Sequence, residues 1–496
     1  MAQGIPARCV YALPTDLDPL DRLPSNRGRS SAVHNLVKAF GLIRTAAQDS
    51  DDPVANRARV VLTDLASRAE LEEFHDPEYI GSLLRGYDPQ DNALGNKRGH
   101  TGSGRAFGSA TSELDRPATE DTRSAEDENL EEFGLEHDCP PFPKMAQYVL
   151  AVAGAALQTS RELREDRADI GIVWDGGRHH AQRSTAAGFC YINDAALAIS
   201  ELRRQPVERG LKKLDRVLYL DMLDIHHGDG VELAFWNTSR VLTLSAHFHD
   251  PKGGFYPLSG DVLSSGPTPP SPAASHALNI PIRIPGALSY VCRRTIIPLI
   301  SAYQPSAVVI QCGVDGLAGD PIGGRLWGLG LKEMGSCLET VIQDSICHDR
   351  KVLLLGGGGY HTPNVARAWA YFTSIALGRK FDLEETEIPL EVQGDVDYAP
   401  TYSLDVPGLE RPLSEHKKGS DISFENDTEL QAARSHKPNS TFINHRSPLP
   451  PSSVENSDLP STELDQTAVL EILSKVIALF PPVRPHSEEL SALTSI

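Results

Sequence analysis

No stretch of this sequence is apolar for long enough to span a bilayer, and its first residues, Met-Ala-Gln-Gly-Ile-Pro-Ala-Arg, lack the apolar core of a secretory signal. A membrane protein is therefore not expected, and the chain reads as intracellular. Positive charge is also scarce: 47 Lys and Arg stand against 67 Asp and Glu, a net charge of −20. Duplex-DNA binding rests on clustered cations, so direct nucleic-acid binding is not expected; an acidic surface attracts basic protein segments instead. The seven cysteines (9, 139, 190, 292, 312, 337 and 347) are scattered singly, with no Cys-x-x-Cys pair. That argues against a disulfide framework or a zinc knuckle and leaves most of them as small apolar core residues. No internal repeat is found.

What is present is ample core material, 40% hydrophobic residues in a chain of 496, arranged as short continuous apolar runs. These are Ile170–Trp174, Val217–Leu220, Val241–Leu244, Ala307–Gln311 and Val352–Leu355. Apolarity without alternation suits strands buried on both faces, as in a parallel sheet covered by helices. Helices are predicted between them, at Met145 to Arg164 and Asn193 to Arg204. The pattern is α/β.

Two stretches break this pattern. Residues 86–130 are rich in Gly, Ser and acid, with ten acidic against two basic side chains from Thr111 to Glu136, and read as a disordered insertion. Residues 412–462, rich in Ser, Pro and Asn, read the same way. A helix is predicted over Asp465 to Phe480, with Val469, Ile472, Leu473, Val476 and Phe480 on one face and Pro481 ending it.

Four motifs follow directly from the apolar runs. In Tyr219-Leu-Asp-Met-Leu-Asp-Ile-His-His-Gly-Asp-Gly230, Asp224 and His226 are two residues apart, so extended backbone sends both to one side. Such a pair suits a metal, though alone it is equally a salt-bridged loop. Gly176-Gly-Arg-His-His180 offers two imidazoles that titrate near working pH. Gln311-Cys-Gly-Val-Asp315 supplies a second carboxylate, in isolation an ordinary helix cap. Leu355-Gly-Gly-Gly-Gly-Tyr360 allows close backbone approach and fixes one hydroxyl; with no Lys-Ser/Thr after it, a phosphate loop is disfavoured. Two carboxylates and one histidine leave metal positions open for water and substrate, which points to hydrolysis.

Taken together, these motifs resemble those of the class I zinc-dependent histone deacetylases. Arg29-Ser-Ser-Ala-Val-His-Asn-Leu36, Phe74-His-Asp-Pro-Glu-Tyr79, Phe133-Gly-Leu-Glu-His-Asp-Cys-Pro140, Gly188-Phe-Cys-Tyr-Ile-Asn-Asp194, Ala318-Gly-Asp-Pro321 and Tyr398-Ala-Pro-Thr-Tyr-Ser-Leu404 are also similar to family segments. The resemblance implies a single large α/β domain over residues 8–411, with a mostly parallel sheet of about eight strands between helical layers. It further implies a closing helix over 463–481 and a flexible tail over 482–496.

The implied activity is hydrolysis of the linear amide of N6-acetyl-lysine, with roles in chromatin regulation and transcriptional repression. By the same resemblance Asp224, His226 and Asp315 hold Zn²⁺, for which Fe²⁺ can substitute. His180 is the proton acceptor oriented by Asp229, and His179, oriented by Asp221, is its electrostatic partner. Tyr360 donates to the oxyanion, a contact worth roughly 3–4 kcal/mol. Gly188, Phe189 and Tyr256 line a lysine tunnel with Ile322 near its mouth, Asp138 holds the substrate backbone at the rim, and Arg29 belongs to an internal channel for acetate. Structural K⁺ or Na⁺ is implied, with Asp224, His226 and Ser245 as one candidate set and Phe235, Thr238 and Val241 as another. Implied partners are acetylated histone tails or cohesin-like nuclear proteins and corepressor proteins; the implied compartment is the nucleus, with the cytoplasm as a second.

The chain departs from the family in places. Family members read Asp-x-Asp-x-His-His, whereas here Met222 and Leu223 separate Asp221 from Asp224. On a regular strand the extra residue turns Asp221 away from the site, unless a bulge at Met222-Leu223 restores it; the bulge is the expectation. Tyr256 replaces a usual Phe, and Pro321 replaces the arginine that contacts an inositol phosphate in corepressor-dependent members. Two alternatives stay open: an inactive scaffold of the same fold, and a hydrolase of small amides such as acetylpolyamines.

Overall fold

The computed structural model describes residues 7–44, 56–87, 130–282 and 288–409. The stretch 412–462, the helix expected at 463–481, the tail 482–496 and nearly all of the acidic insertion lie outside the described residues. Among the described residues no helix is long and apolar enough to cross a membrane.

Among the described residues nine strands form one sheet: β1 (Cys9–Pro14), β2 (Ile43–Arg44), β3 (Ala58–Thr63), β4 (Ile170–Val173), β5 (Val217–Asp221), β6 (Val241–His247), β7 (Ala277–Pro281), β8 (Ala307–Gln311) and β9 (Lys351–Leu355). Their order is β2-β3-β1-β4-β9-β8-β5-β6-β7, and every pairing is parallel. The expected fold class holds, with nine strands rather than about eight.

Both faces of the sheet are buried. On one side Ile172, Leu218, Leu220, Leu244, Ile310 and Leu354 meet residues of α1 (Arg29–Ala39), α5 (Leu331–Cys347) and α6 (Thr362–Ala376). The alternate residues Val173, Val217, Tyr219, Val309, Leu353 and Leu355 enter a second core. There they meet α2 (Met145–Arg164), α3 (Asp194–Leu202) and α4 (Asp229–Phe235). Period-two alternation between two apolar layers is why these strands read as unbroken apolar runs.

The order of the strands positions the site. The four that carry the motifs, β4, β9, β8 and β5, are consecutive at the centre of the sheet. All are parallel, so their carboxyl ends, and the loops that follow, open on one edge.

Candidate metal centre

Beyond β5 the chain leaves the sheet and bends. Asp221 is the last residue of the ladder, paired with Ser245 on one side and Gln311 on the other. Met222 and Leu223 follow outside it, fully buried in the core. The extra residue is thus absorbed in the loop, and the expected bulge within the ladder is not needed. Asp221 accepts from His179 Nδ1 at 2.7 Å and from the Tyr219 hydroxyl at 3.2 Å. Burial, reinforced by the nearby Asp224 charge, pushes its carboxyl well above the ordinary range.

Asp224, His226 and Asp315 converge, with one ligand atom from each within 4.8 Å of the others. The Asp224 and Asp315 carboxylates are wholly buried. Their lone pairs are directed by neighbours: Asp224 Oδ2 accepts from Gln311 Nε2 at 2.9 Å and Gly358 N at 3.0 Å, and Asp315 Oδ1 accepts from Ile225 N at 2.9 Å. His226 Nδ1 lies 2.8 Å from Asp315 Oδ2. Burial and the charge of Asp224 raise Asp315 to about 6. Two buried carboxylates facing each other, with an imidazole beside them, are an oxygen-rich set in need of positive charge, and a divalent cation such as Zn²⁺ meets that need. The residues fit the metal.

The tandem histidines come from the loop after β4. Their rings lie 3.9 Å apart, and each is held at Nδ1 by its own acid: His179 by Asp221, and His180 by Asp229 at 2.8 Å. Burial, then the neighbouring His179, lowers His180 to about 4, so its imidazole is neutral at physiological pH. The loop can lie here because Gly177 has φ +83° and passes so close to Gly356 that an added Cβ would stand 2.5 Å from the Gly356 carbonyl carbon. After β9 the four glycines bring the Gly358 N–H onto Asp224 and end at Tyr360, whose own N–H is fixed by Asp320 at 2.7 Å. Burial and the Asp315 and Asp224 charges keep the Tyr360 phenol protonated.

The expected tunnel residues gather nearby. Phe189 lies edge-on to Tyr360 at 5.5 Å, and Tyr256 lies edge-on to His180 at 4.9 Å. An added Cβ on Gly188 would stand 2.4 Å from the His180 ring. Asp138 accepts from the Gly188 N–H at 2.7 Å. Arg29 donates from one nitrogen to the carbonyls of Gly357 and Gly359, both at 3.0 Å. Ile322 sits in the turn whose N–H groups cap Asp320. Ser245 bonds His247 at 3.0 Å, and the Thr238 N–H bonds the Phe235 carbonyl at 3.2 Å just before Val241.

Several residues at the site were not singled out from sequence. Gln311 orients Asp224, Phe255 stacks on His226 at 5.1 Å, and Asp320 holds the Tyr360 backbone. His75 and Asn193 brace the loop that bears Phe189. Only Gln311 left a usable signal, a polar side chain closing an apolar strand.

A profile of the histone deacetylase domain matches residues 23–376. The chain is 35% identical over 387 residues to "Histone deacetylase 8" of Xenopus tropicalis, covering 77% of this chain and 86% of that protein. It is 32% identical over 392 residues to "Histone deacetylase 9" of Arabidopsis thaliana, covering 78% and 75%. Against "Histone deacetylase 2" of Oryza sativa subsp. japonica it is 38% identical over 385 residues, covering 77% and 62%. With a site built from four adjacent strand ends and a profile that spans most of the sheet, the chain belongs to the histone deacetylase family, class I type, hydrolases that remove acetyl groups from lysine.

Proposed function

We propose that this lysine deacetylase works on acetylated, basic segments of nuclear proteins, histone tails or cohesin-like proteins, with Zn²⁺ at Asp224, His226 and Asp315. The observation that carries the reading is the convergence of those three ligands beside two histidines each held by its own carboxylate. When bound, Zn²⁺ supplies Lewis-acid polarisation of the amide carbonyl and acidifies water; Fe²⁺ offers the same chemistry.

The protein's own groups do the rest. His180 is neutral, so its ring accepts the proton of the attacking water and later protonates the departing lysine amine. Asp229 holds the ring in place and stabilises it once charged. His179, tied to Asp221, gives electrostatic support from 3.9 Å. Tyr360, protonated and anchored through Asp320, donates to the developing oxyanion. Gly188, Phe189 and Tyr256 clasp the lysine methylenes and exclude water, Ile322 borders the mouth, and Asp138 takes a substrate N–H at the rim.

The acidic character of the chain favours lysine-rich substrates. A nuclear site of action, a role in transcriptional repression, and bound K⁺ or Na⁺ belong to the same proposal. Pro321 in place of an anion-binding arginine supports action without an inositol-phosphate bridge to a corepressor. The reach of Asp221 to His179 removes the one feature that favoured an inactive scaffold.

The test is acetate release from acetylated histone and non-histone peptides, with acetylspermidine as control, by the wild type, His180→Ala and Tyr360→Phe. Each substitution is expected to lower kcat by about 10²-fold or more with zinc content unchanged. Unchanged turnover in both would sink the assignment.

A further inference from the structure

Eight residues other than glycine adopt a positive φ among the described residues, and six of them are polar. The two apolar ones are Phe189, at φ +62°, and Leu258, at φ +70°. A large side chain is disfavoured in the left-handed region because its Cβ crowds the following carbonyl, so the conformation persists only where surrounding contacts impose it. For Phe189 the reason is visible: its ring faces Tyr360 at 5.5 Å on one wall of the proposed lysine tunnel. Packing inside the protein gives no such reason for Leu258, whose side chain is 38% exposed.

Contacts on both sides fix Leu258 in place. Its N–H donates to the Phe255 carbonyl at 3.1 Å. The next residue, Ser259, bonds His227 Nδ1 through its hydroxyl at 2.8 Å and accepts from His249 Nδ1 at its carbonyl at 3.1 Å, and the Gly260 carbonyl accepts from His247 Nε2 at 3.0 Å. All three histidines are buried, so the segment is tied into the body of the domain. On the other side stands Tyr256, edge-on to His180 at 4.9 Å and packed against Gly188, whose N–H is held by Asp138. Two residues span at most about 7 Å, so Leu258 stands beside the tunnel wall, on its solvent side. A third strained residue, His137 at φ +49°, immediately precedes Asp138. Strain in this protein thus gathers where the substrate enters, as it does at sites that need a side chain held in one place.

We propose that Leu258 is a specificity-determining residue, displayed at the tunnel mouth to pack against an apolar side chain adjoining the acetyl-lysine of the substrate. The neighbour of the acetyl-lysine has its Cα only about 3.8 Å from that of the residue entering the tunnel, within reach of a leucine at the mouth. Contact there removes both apolar side chains from water and disfavours a polar neighbour of the same size, whose amide loses water without gaining a partner. The preferred substrate is a basic segment in which Leu, Ile, Met or Phe stands next to the acetylated lysine. This inference rests on the deacetylase reading of the tunnel.

The test uses acetyl-lysine peptides that differ only in Leu or Gln, at the position before or the position after the acetyl-lysine, with the full zinc-loaded chain. Fluorescence anisotropy gives Kd, and acetate release gives kcat/KM. The wild type is expected to favour Leu over Gln about tenfold in both quantities at one of the two positions. The preference should fall below about twofold in Leu258→Asn and Leu258→Gly, which both suit a positive φ, and persist in Leu258→Met. Circular dichroism verifies that each variant is folded; should Leu258→Asn fail to fold, Leu258→Gly decides. No preference in the wild type overturns the proposal, as does a preference that survives in folded Leu258→Gly. A Leu258-dependent preference in Kd with no acetate released from any peptide would sink the deacetylase reading and leave the role of Leu258 standing.

Discussion

His75 has both ring nitrogens committed: Nδ1 donates to the Arg183 carbonyl at 3.1 Å, and Nε2 accepts from the Asn193 N–H at 3.0 Å. A second proton would have to displace the Asn193 contact in a fully buried place. Burial accordingly lowers its pKa from 6.5 to about 4. The folded value lies below the unfolded one, so the unfolded chain takes up the proton first and stability falls as pH drops from 6.5 towards 4. Between pH 7 and pH 5 this group alone is expected to cost about 2 kcal/mol, seen in urea titrations as a slope that flattens in His75→Asn. The side-chain pairs at the centre were legible because His-His and Asp-x-His are short local patterns. The groups that orient them were not, because Asp320, Gln311 and Phe255 reach the site only through tertiary packing.

The loop between Asp221 and Asp229 does what a bulge was expected to do, and does it outside the ladder. A pattern of residues along a strand cannot reveal where the strand stops, which is why the sequence left the orientation of Asp221 open. The cost is transferred to the core, where Met222 and Leu223 must both be accommodated. Leu223→Ala is expected to lose about 3 kcal/mol in chemical denaturation and to lower zinc affinity, since Leu223 immediately precedes Asp224 and anchors that part of the loop in the core. Gly177→Ala strikes a different element. Its φ of +83°, and packing against Gly356 so close that an added Cβ would stand 2.5 Å from the Gly356 carbonyl carbon, set the loops after β4 and β9 against each other. A loss of at least ~2 kcal/mol is expected, with a disproportionate fall in kcat as Tyr360 shifts relative to His180. The five central strands were readable as apolar runs. By contrast, β2 has only two residues, and β3 is partly exposed along its length.

At the scale of the whole molecule, the candidate metal centre buries two carboxylates that need positive charge, in a chain that carries −20 overall. Chelation of zinc should therefore destabilise the domain, lowering Tm by an amount that metal restores; at a metal concentration 1,000 times Kd the linkage is ~4 kcal/mol. Raising ionic strength should increase KM for a lysine-rich acetylated peptide severalfold at unchanged kcat, and leave a neutral peptide unaffected.

The position of β9 has a consequence for how the protein comes into being. It lies between β4 and β8, and its pairing of Ile170 with Val352 closes a span of 182 residues (352 − 170). Until the ribosome has delivered that strand, the sheet exists only as two separate halves, β2-β3-β1-β4 and β8-β5-β6-β7, each with an open edge. The three candidate metal ligands are then already synthesised on one half, and the tandem histidines on the other. A slow, long-range closure of this kind leaves hydrophobic edges exposed during synthesis and makes metal loading a late event. Ribosome-bound chains ending before Lys351 should accordingly fail to retain zinc, whereas chains extended past Ala376 by an exit-tunnel length should retain it.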